Sequence, residues 1–208
     1  MTGRHLSGIV YIVDDDPSFR TAVQRLLGQA GYRVVTYASA EQLLEQRPNE
    51  NEIGCILLDV RMPGVSGPAL HSRLLELGSS LPILFLSGYV DVRATVSAIK
   101  AGADDFLTKP LESDKLFHAI EQALARHRSV LEARRNSDVL RGRIATLTPR
   151  ERQVFLLIVR GRTNKQVAYE LGSSERTIKA HRQRVMEKLG AANLAELVLI
   201  GERFERKE

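Results

Sequence analysis

Over the first 127 residues, short apolar runs alternate with amphipathic stretches. IVYIVD (Ile9–Asp14), RVVTY (Arg33–Tyr37), CILLD (Cys55–Asp59), PILFLS (Pro82–Ser87) and DFLTK (Asp105–Lys109) read as strands, while segments from Pro17, Ser39, Gly67, Asp91 and Glu112 carry helical periodicity. Alternation of this kind predicts βαβ units, hence an α/β fold with a parallel sheet and helices on both faces. In such sheets ligands and chemistry gather at the carboxyl ends of the strands. Asp14 and Asp15 end the first run, Asp59 the third, Ser87 the fourth and Lys109 the fifth, so all five are expected at one edge.

Beyond the fifth run the period changes. From Asp114 to Arg141 there is no Gly or Pro, and Leu116, Ile120, Leu124, Val130 and Leu131 recur at helical spacing. One continuous helix and a helix ending near Arg128 with a basic tail both fit this stretch; the continuous helix is the expectation. After Arg143 the pattern is wholly helical. TPRE offers Thr148 as N-cap, Pro149 at the first helical position and Glu151 as capping-box acid, and TNKQ repeats the device with Thr163 and Gln166. Gly161, Gly172 and Gly190 mark helix ends, and the short GSS turn between Leu171 and Glu175 suits a helix-turn-helix. The expected domains are therefore 1–127, a helical linker 128–142, and an all-α domain 143–208.

Charge sharpens this division. From Arg128 onward 18 Lys and Arg face 10 Asp and Glu, against 12 and 15 before it, so the basic excess belongs to the second half. A basic half joined to a slightly acidic one suggests a nucleic-acid-binding module, and the helix-turn-helix pattern makes double-stranded DNA the expected partner. In SERTIKAHRQRVMEKLG, Ile178, Val185, Met186 and Leu189 form one apolar face and leave the polar side for a major groove. The longest apolar runs are too short to span a bilayer and MTGRHLSG lacks the apolar core of a secretion signal, so no membrane partner and a cytoplasmic location are expected. The single cysteine, Cys55, sits in an apolar run and reads as a small buried hydrophobe.

Three carboxylates brought together would repel one another in a dry site, and a hard divalent cation, Mg2+ or Mn2+, resolves that repulsion. Lys109 supplies an ammonium for Asp59 and for a phosphoryl oxygen placed there, and Ser87 adds a hydroxyl. Such a set stabilises charge on a transferring phosphoryl group, with a carboxylate as nucleophile. Asp16, before Pro17, is expected to cap the next helix.

VDDDPSFR, LLDVRMPG, LSGY and AGADDFLTKP, in this order over residues 7–127, resemble the receiver domain of two-component response regulators, a (βα)5 flavodoxin-like fold. The resemblance implies that Asp59 is the phosphoacceptor, supported by Lys109 and Ser87. It also implies an acidic pocket of Asp14 and Asp15, with Asp15, Asp59 and the backbone carbonyl of Arg61 as direct metal ligands. Ser87 and Phe106 match the switch positions, with Phe106 turning inward to remodel the face formed by the helix from Asp91 and the fifth strand. Lys109–Pro110 matches a cis peptide. Arg61 and Tyr89 match positions that influence phosphoryl lifetime, and their bulk is expected to obstruct the attacking water.

Residues 143–205 resemble the LuxR-type (FixJ/NarL) helix-turn-helix domain. Here the resemblance puts Lys179, Ala180 and Gln183 at base-reading positions, with Thr163, Asn164, Arg176, Thr177, Arg182, Arg184 and Lys188 as phosphate or groove contacts, Arg182 and Arg184 being equally able to reach bases. His181 is read as packing or hydrogen bonding, and NLAELV as a closing helix with a dimer face. Together the two halves imply a transcription regulator phosphorylated by a sensor histidine kinase, dimeric when phosphorylated, acting as an activator with RNA polymerase. It would not be an enzyme beyond Mg2+-dependent self-phosphorylation and slow dephosphorylation. A metal-dependent aspartyl phosphatase would need a carboxylate at Arg61, and a P-loop nucleotidase would need G-x-x-x-x-G-K-[ST], which is absent. The alternative is a constitutive DNA binder with an unphosphorylated receiver used for dimerisation.

Overall fold

The computed structural model describes residues 8–88 and 105–205, without the side chains of Arg203 and Glu205. The chain divides into two compact units, Met1–Glu132 and Ala133–Glu208.

In the first unit, strands β1 (Ile9–Val13), β2 (Arg33–Tyr37), β3 (Gly54–Asp59), β4 (Ile83–Ser87) and β5 (Asp105–Thr108) form one parallel sheet in the order β2-β1-β3-β4-β5. Helices α1 (Pro17–Gln29), α2 (Ala40–Glu45) and α3 (Gly67–Glu76) connect them, and α4 (Ser113–Ala145) follows. The segment from Asp91 lies outside the described residues. Central strands are buried along their whole length, and apolar up to their carboxyl ends, because both faces are covered. Ile9, Tyr11 and Val13 pack with Leu43, Leu70 and Leu74 on one face, whereas Val10 and Ile12 meet Val23, Leu27, Leu116 and Ile120 on the other. Cys55 is buried in β3, and edge strand β2 alternates exposed and more buried positions.

The loop after β3 returns sharply over the strand end. The Gly67 amide donates to the Val60 carbonyl at 3.1 Å. A Cβ on Gly67 would stand 2.3 Å from the Asp59 carbonyl oxygen, which only glycine avoids. Helix α3 can therefore start directly against the strand that carries Asp59.

The helix from Ser113 continues to Ala145, through Gly142. An interior glycine costs about 1 kcal/mol relative to alanine, and burial of Ile144 beyond it offsets that loss. Nearer its start, Leu116, Ala119, Ile120 and Ala123 pack on the sheet. Buried His127 accepts from the Gly54 amide at 3.0 Å through Nδ1.

In the second unit, α5 (Pro149–Val159), α6 (Asn164–Glu170), α7 (Glu175–Leu189) and α8 (Leu194–Glu205) surround a core of Val154, Phe155, Val167, Ile178, Val185 and Leu197. Both capping boxes form as the sequence suggests, at Thr148/Glu151 and Thr163/Gln166, and Ser174 caps α7 through the Thr177 amide.

Gly67→Ala should displace the Asp59 strand end and cost about 1–3 kcal/mol, lowering the Tm of the first unit by roughly 5–15 °C. Gly28→Ala, in α1 where the added methyl would meet no atom within 4 Å, should be neutral or slightly stabilising. Differential scanning calorimetry of both variants decides the matter.

Candidate phosphoacceptor pocket and nucleic-acid interface

Parallel strands β1, β3 and β5 bring their carboxyl ends to one edge. Asp14 is fully buried just after β1, Asp59 nearly so at the end of β3, and Asp15 is exposed beside them. One ligand oxygen from each of these three carboxylates lies within 4.8 Å of the others. This donor set fits a hard, oxygen-seeking cation such as Mg2+.

Lys109, following β5, reaches across this edge. Its Nζ donates to Asp14 Oδ2 at 2.6 Å and to Asp59 Oδ2 at 3.0 Å. Burial pushes the Asp14 carboxyl above its ordinary pKa, and the hydrogen bond and charge of Lys109 only partly oppose this. Burial alone would lower the Lys109 ammonium, but the two carboxylates outweigh it and raise its pKa, so it stays charged.

The remaining expected residues fall around this centre. Ser87 is buried at the end of β4, and its carbonyl accepts from the Lys109 amide at 2.7 Å. The Arg61 amide donates to Asp59 Oδ1 at 3.3 Å, while its side chain is exposed. Phe106 is half-buried against the Phe85 side of the sheet core. The Lys109–Pro110 peptide is cis. Asp16 caps α1 through the Ser18 and Phe19 amides at 2.8 and 3.2 Å. Tyr89 lies outside the described residues.

On the second unit, α6, the turn and α7 form the helix-turn-helix. Arg176, Thr177, Lys179, Ala180, Gln183 and Arg184 are exposed on α7, opposite buried Ile178, Val185 and Leu189. Thr163 and Asn164 start α6, and Asn164 Oδ1 accepts from half-buried Arg182 at 3.4 Å. A groove of about 650 Å³ is lined by Asn164, Lys179, Arg182, Gln183, Met186 and Glu187. His181 is half-buried, with Nδ1 lacking a hydrogen-bond partner among the described residues.

Lys188 is exposed on α7 and donates to Glu151 Oε2 at 2.6 Å and to the Thr146 carbonyl at 3.0 Å. Its ammonium thereby neutralises a buried capping-box carboxylate and braces the C-terminal end of α7. Arg143 braces the same end by donating to the Leu189 carbonyl at 3.1 Å. Sequence identified Glu151 as a cap, but no periodicity pairs it with a lysine 37 residues later.

Sequence comparison identifies the families of both domains. Residues 10–121 match the response regulator receiver domain and residues 145–200 the LuxR family of bacterial regulatory proteins. The chain is a response regulator. It is 40% identical over 208 residues to the response regulator protein TodT of Pseudomonas putida, covering 97% of this chain and 90% of TodT. It is 39% identical over 196 residues to the transcriptional regulatory protein FixJ of Bradyrhizobium diazoefficiens, covering 94% and 95%. The solved structure of the response regulator StyR is similar, at 42% identity and TM-score 0.83 over 95% of this chain and 99% of that one. Full-length FixJ from B. japonicum aligns at 37% identity and TM-score 0.57 over 96% and 98%. This response regulator is thus a transcription factor with a flavodoxin-like receiver and a LuxR-type DNA-binding domain. Among the described residues, no helix is long and apolar enough to cross a membrane.

Hydrogen bonds from Lys188 and the Thr148 amide hold Glu151 at a pKa of about 2 against an ordinary 4.5. A depressed folded-state pKa adds stability above about pH 4.5 and loses it as pH falls toward 2. Denaturation of the intact chain, followed by hydrogen exchange in α5 and α7, should show that loss in this window. Glu151→Gln should weaken these helices by about 1–3 kcal/mol at neutral pH and flatten the acid dependence.

Proposed function

We propose that Asp59 accepts a phosphoryl group from a sensor histidine kinase, and that this modification promotes dimerisation and sequence-specific DNA binding. The observation that carries the proposal is the Lys109 ammonium shared by Asp14 and Asp59 beside the Asp15 carboxylate. One Asp59 oxygen attacks phosphorus, a new P–O bond forms, and the bond from phosphorus to the kinase histidine nitrogen breaks with its electron pair returning to nitrogen. Lys109 is positioned to follow the charge onto a phosphoryl oxygen, and Ser87 offers its hydroxyl to another. Asp14, Asp15, Asp59 and the Arg61 carbonyl would hold Mg2+ or Mn2+, which when bound neutralises charge on the phosphoryl oxygens.

Ser87 and Phe106 are the proposed switch. Half-buried Phe106 has an apolar core beside it into which an inward rotamer can settle. The Arg61 side chain shields the acyl phosphate from attacking water and prolongs the phosphorylated state. Residues 1–127 act as receiver, 128–142 as linker and 143–208 as DNA-binding domain.

On DNA, Lys179, Ala180 and Gln183 read base edges, with Thr163, Asn164, Arg176, Thr177 and Lys188 on phosphates and the groove wall, and Arg182 and Arg184 on phosphates or bases. Two copies occupy paired half-sites and act as an activator through RNA polymerase. The chemistry ends at self-phosphorylation and slow hydrolysis.

A small phosphodonor with Mg2+ should convert the wild-type chain to a dimer and tighten DNA binding. Asp59→Asn should take up no phosphate and remain at basal affinity. Mass spectrometry, light scattering and fluorescence anisotropy read these outcomes; equal DNA binding in all conditions would instead make the protein a constitutive binder with a receiver used for dimerisation. Lys179→Ala should lose about 1–3 kcal/mol at the specific site and relax preference at one base position, measured by anisotropy on a set of single-base operator variants.

A further inference from the structure

Lys109 has a third neighbour that phosphoryl chemistry does not by itself require. Its Nζ lies 4.0 Å from the centroid of the Phe19 ring. Phe19 stands two residues into α1, with its amide held by the Asp16 cap at 3.2 Å and its ring packed against the core cluster of Val23, Leu27, Leu116 and Ile120. Backbone and ring are thus anchored from separate directions, and one ring face remains turned to the ammonium.

An aromatic face attracts a cation electrostatically without accepting a conventional hydrogen bond. An ammonium is compact and strongly hydrated on a flexible stem, so a lysine in a wet pocket samples several positions. Here two carboxylates define two sides of the cation at 2.6 and 3.0 Å, and the ring takes a side that water would otherwise occupy. The Lys109 side chain keeps only 19% exposure. A cation fixed before charge arrives need not reorganise when it does, which is the condition for effective electrostatic stabilisation.

We propose that Phe19 is a positioning residue for phosphoryl transfer, holding the Lys109 ammonium between Asp14 and Asp59 through its ring face. This rests on the phosphoacceptor reading of Asp59. Phe19 touches no reacting atom and acts only through Lys109. A simple packing role would be met equally by any apolar side chain of similar size, whereas the proposed role requires an aromatic face.

The test uses the full-length chain with Phe19→Leu and Phe19→Tyr. Phosphorylation by phosphoramidate with Mg2+ is timed by mass spectrometry, and Lys109 side-chain NMR signals are compared without phosphodonor. Phe19→Leu should slow phosphorylation by about three- to ten-fold, the range a lost cation–π contact implies. It should also abolish the ring-current displacement of the Lys109 Cε protons. Phe19→Tyr should restore both. Wild-type rates in Phe19→Leu, or equal slowing in both variants, would overturn the inference alone. Absence of phosphate on the wild-type chain would overturn the phosphoacceptor reading, and this inference with it.

Discussion

The receiver is organised around one ammonium shared by two carboxylates. Asp14 follows β1 and Asp59 ends the adjacent β3, and both carboxylates are buried above the apolar strands. Buried anions at that separation destabilise a fold unless a cation reaches them. Lys109 follows β5, two strands from β3 in the sheet order, or about 10 Å at the usual strand spacing. It must therefore extend over the end of β4, and the small side chain of Ser87 leaves that path open. Parallel register, strand order and a small residue on the intervening strand all serve one electrostatic contact.

A second ion pair organises the DNA-binding unit in the same manner. Glu151 belongs by sequence to the start of α5, yet its carboxylate also holds Lys188 near the end of α7. With Arg143 on the Leu189 carbonyl, cations satisfy the C-terminal end of the recognition helix, where the helix dipole favours positive charge. Lys188 thereby supports the end of the helix while remaining, like Lys179, Gln183 and Arg184, exposed. Two basic residues nine positions apart on one helix thus have different environments: Lys179 faces solvent and Lys188 faces Glu151.

Much of this was legible in the sequence because it depends on local pattern. Strand-end carboxylates, both capping boxes, the Asp16 cap and the apolar face of α7 follow from spacing along the chain. Strand convergence followed as well, since parallel βαβ units put all carboxyl ends together. Contacts between distant segments were not legible. Nothing local marks Lys188 as the partner of Glu151 or Phe19 as a neighbour of Lys109, because each pairing arises from packing between elements. Gly142 illustrates a different limit: its propensity argues for a break, but Ile144 gains enough from burial to carry the helix past it.

Charge in the pocket also bears on what the proposed phosphorylation of Asp59 would do. Asp14, Asp15 and Asp59 bring three potential negative charges together, and among the described residues Lys109 is the lysine that pairs with them. A divalent cation balances that excess, so the unmodified pocket is already arranged to hold positive charge. A phosphoryl group on Asp59 would replace one negative charge with roughly two. Lys109 would then be drawn from Asp14 toward the phosphoryl oxygens, and Asp14, whose burial already raises its pKa, would lose part of its compensation. The energetic imbalance would fall on the strand ends beside Ser87 and Phe106, where a change of rotamer can relieve it without disturbing the apolar layers beneath.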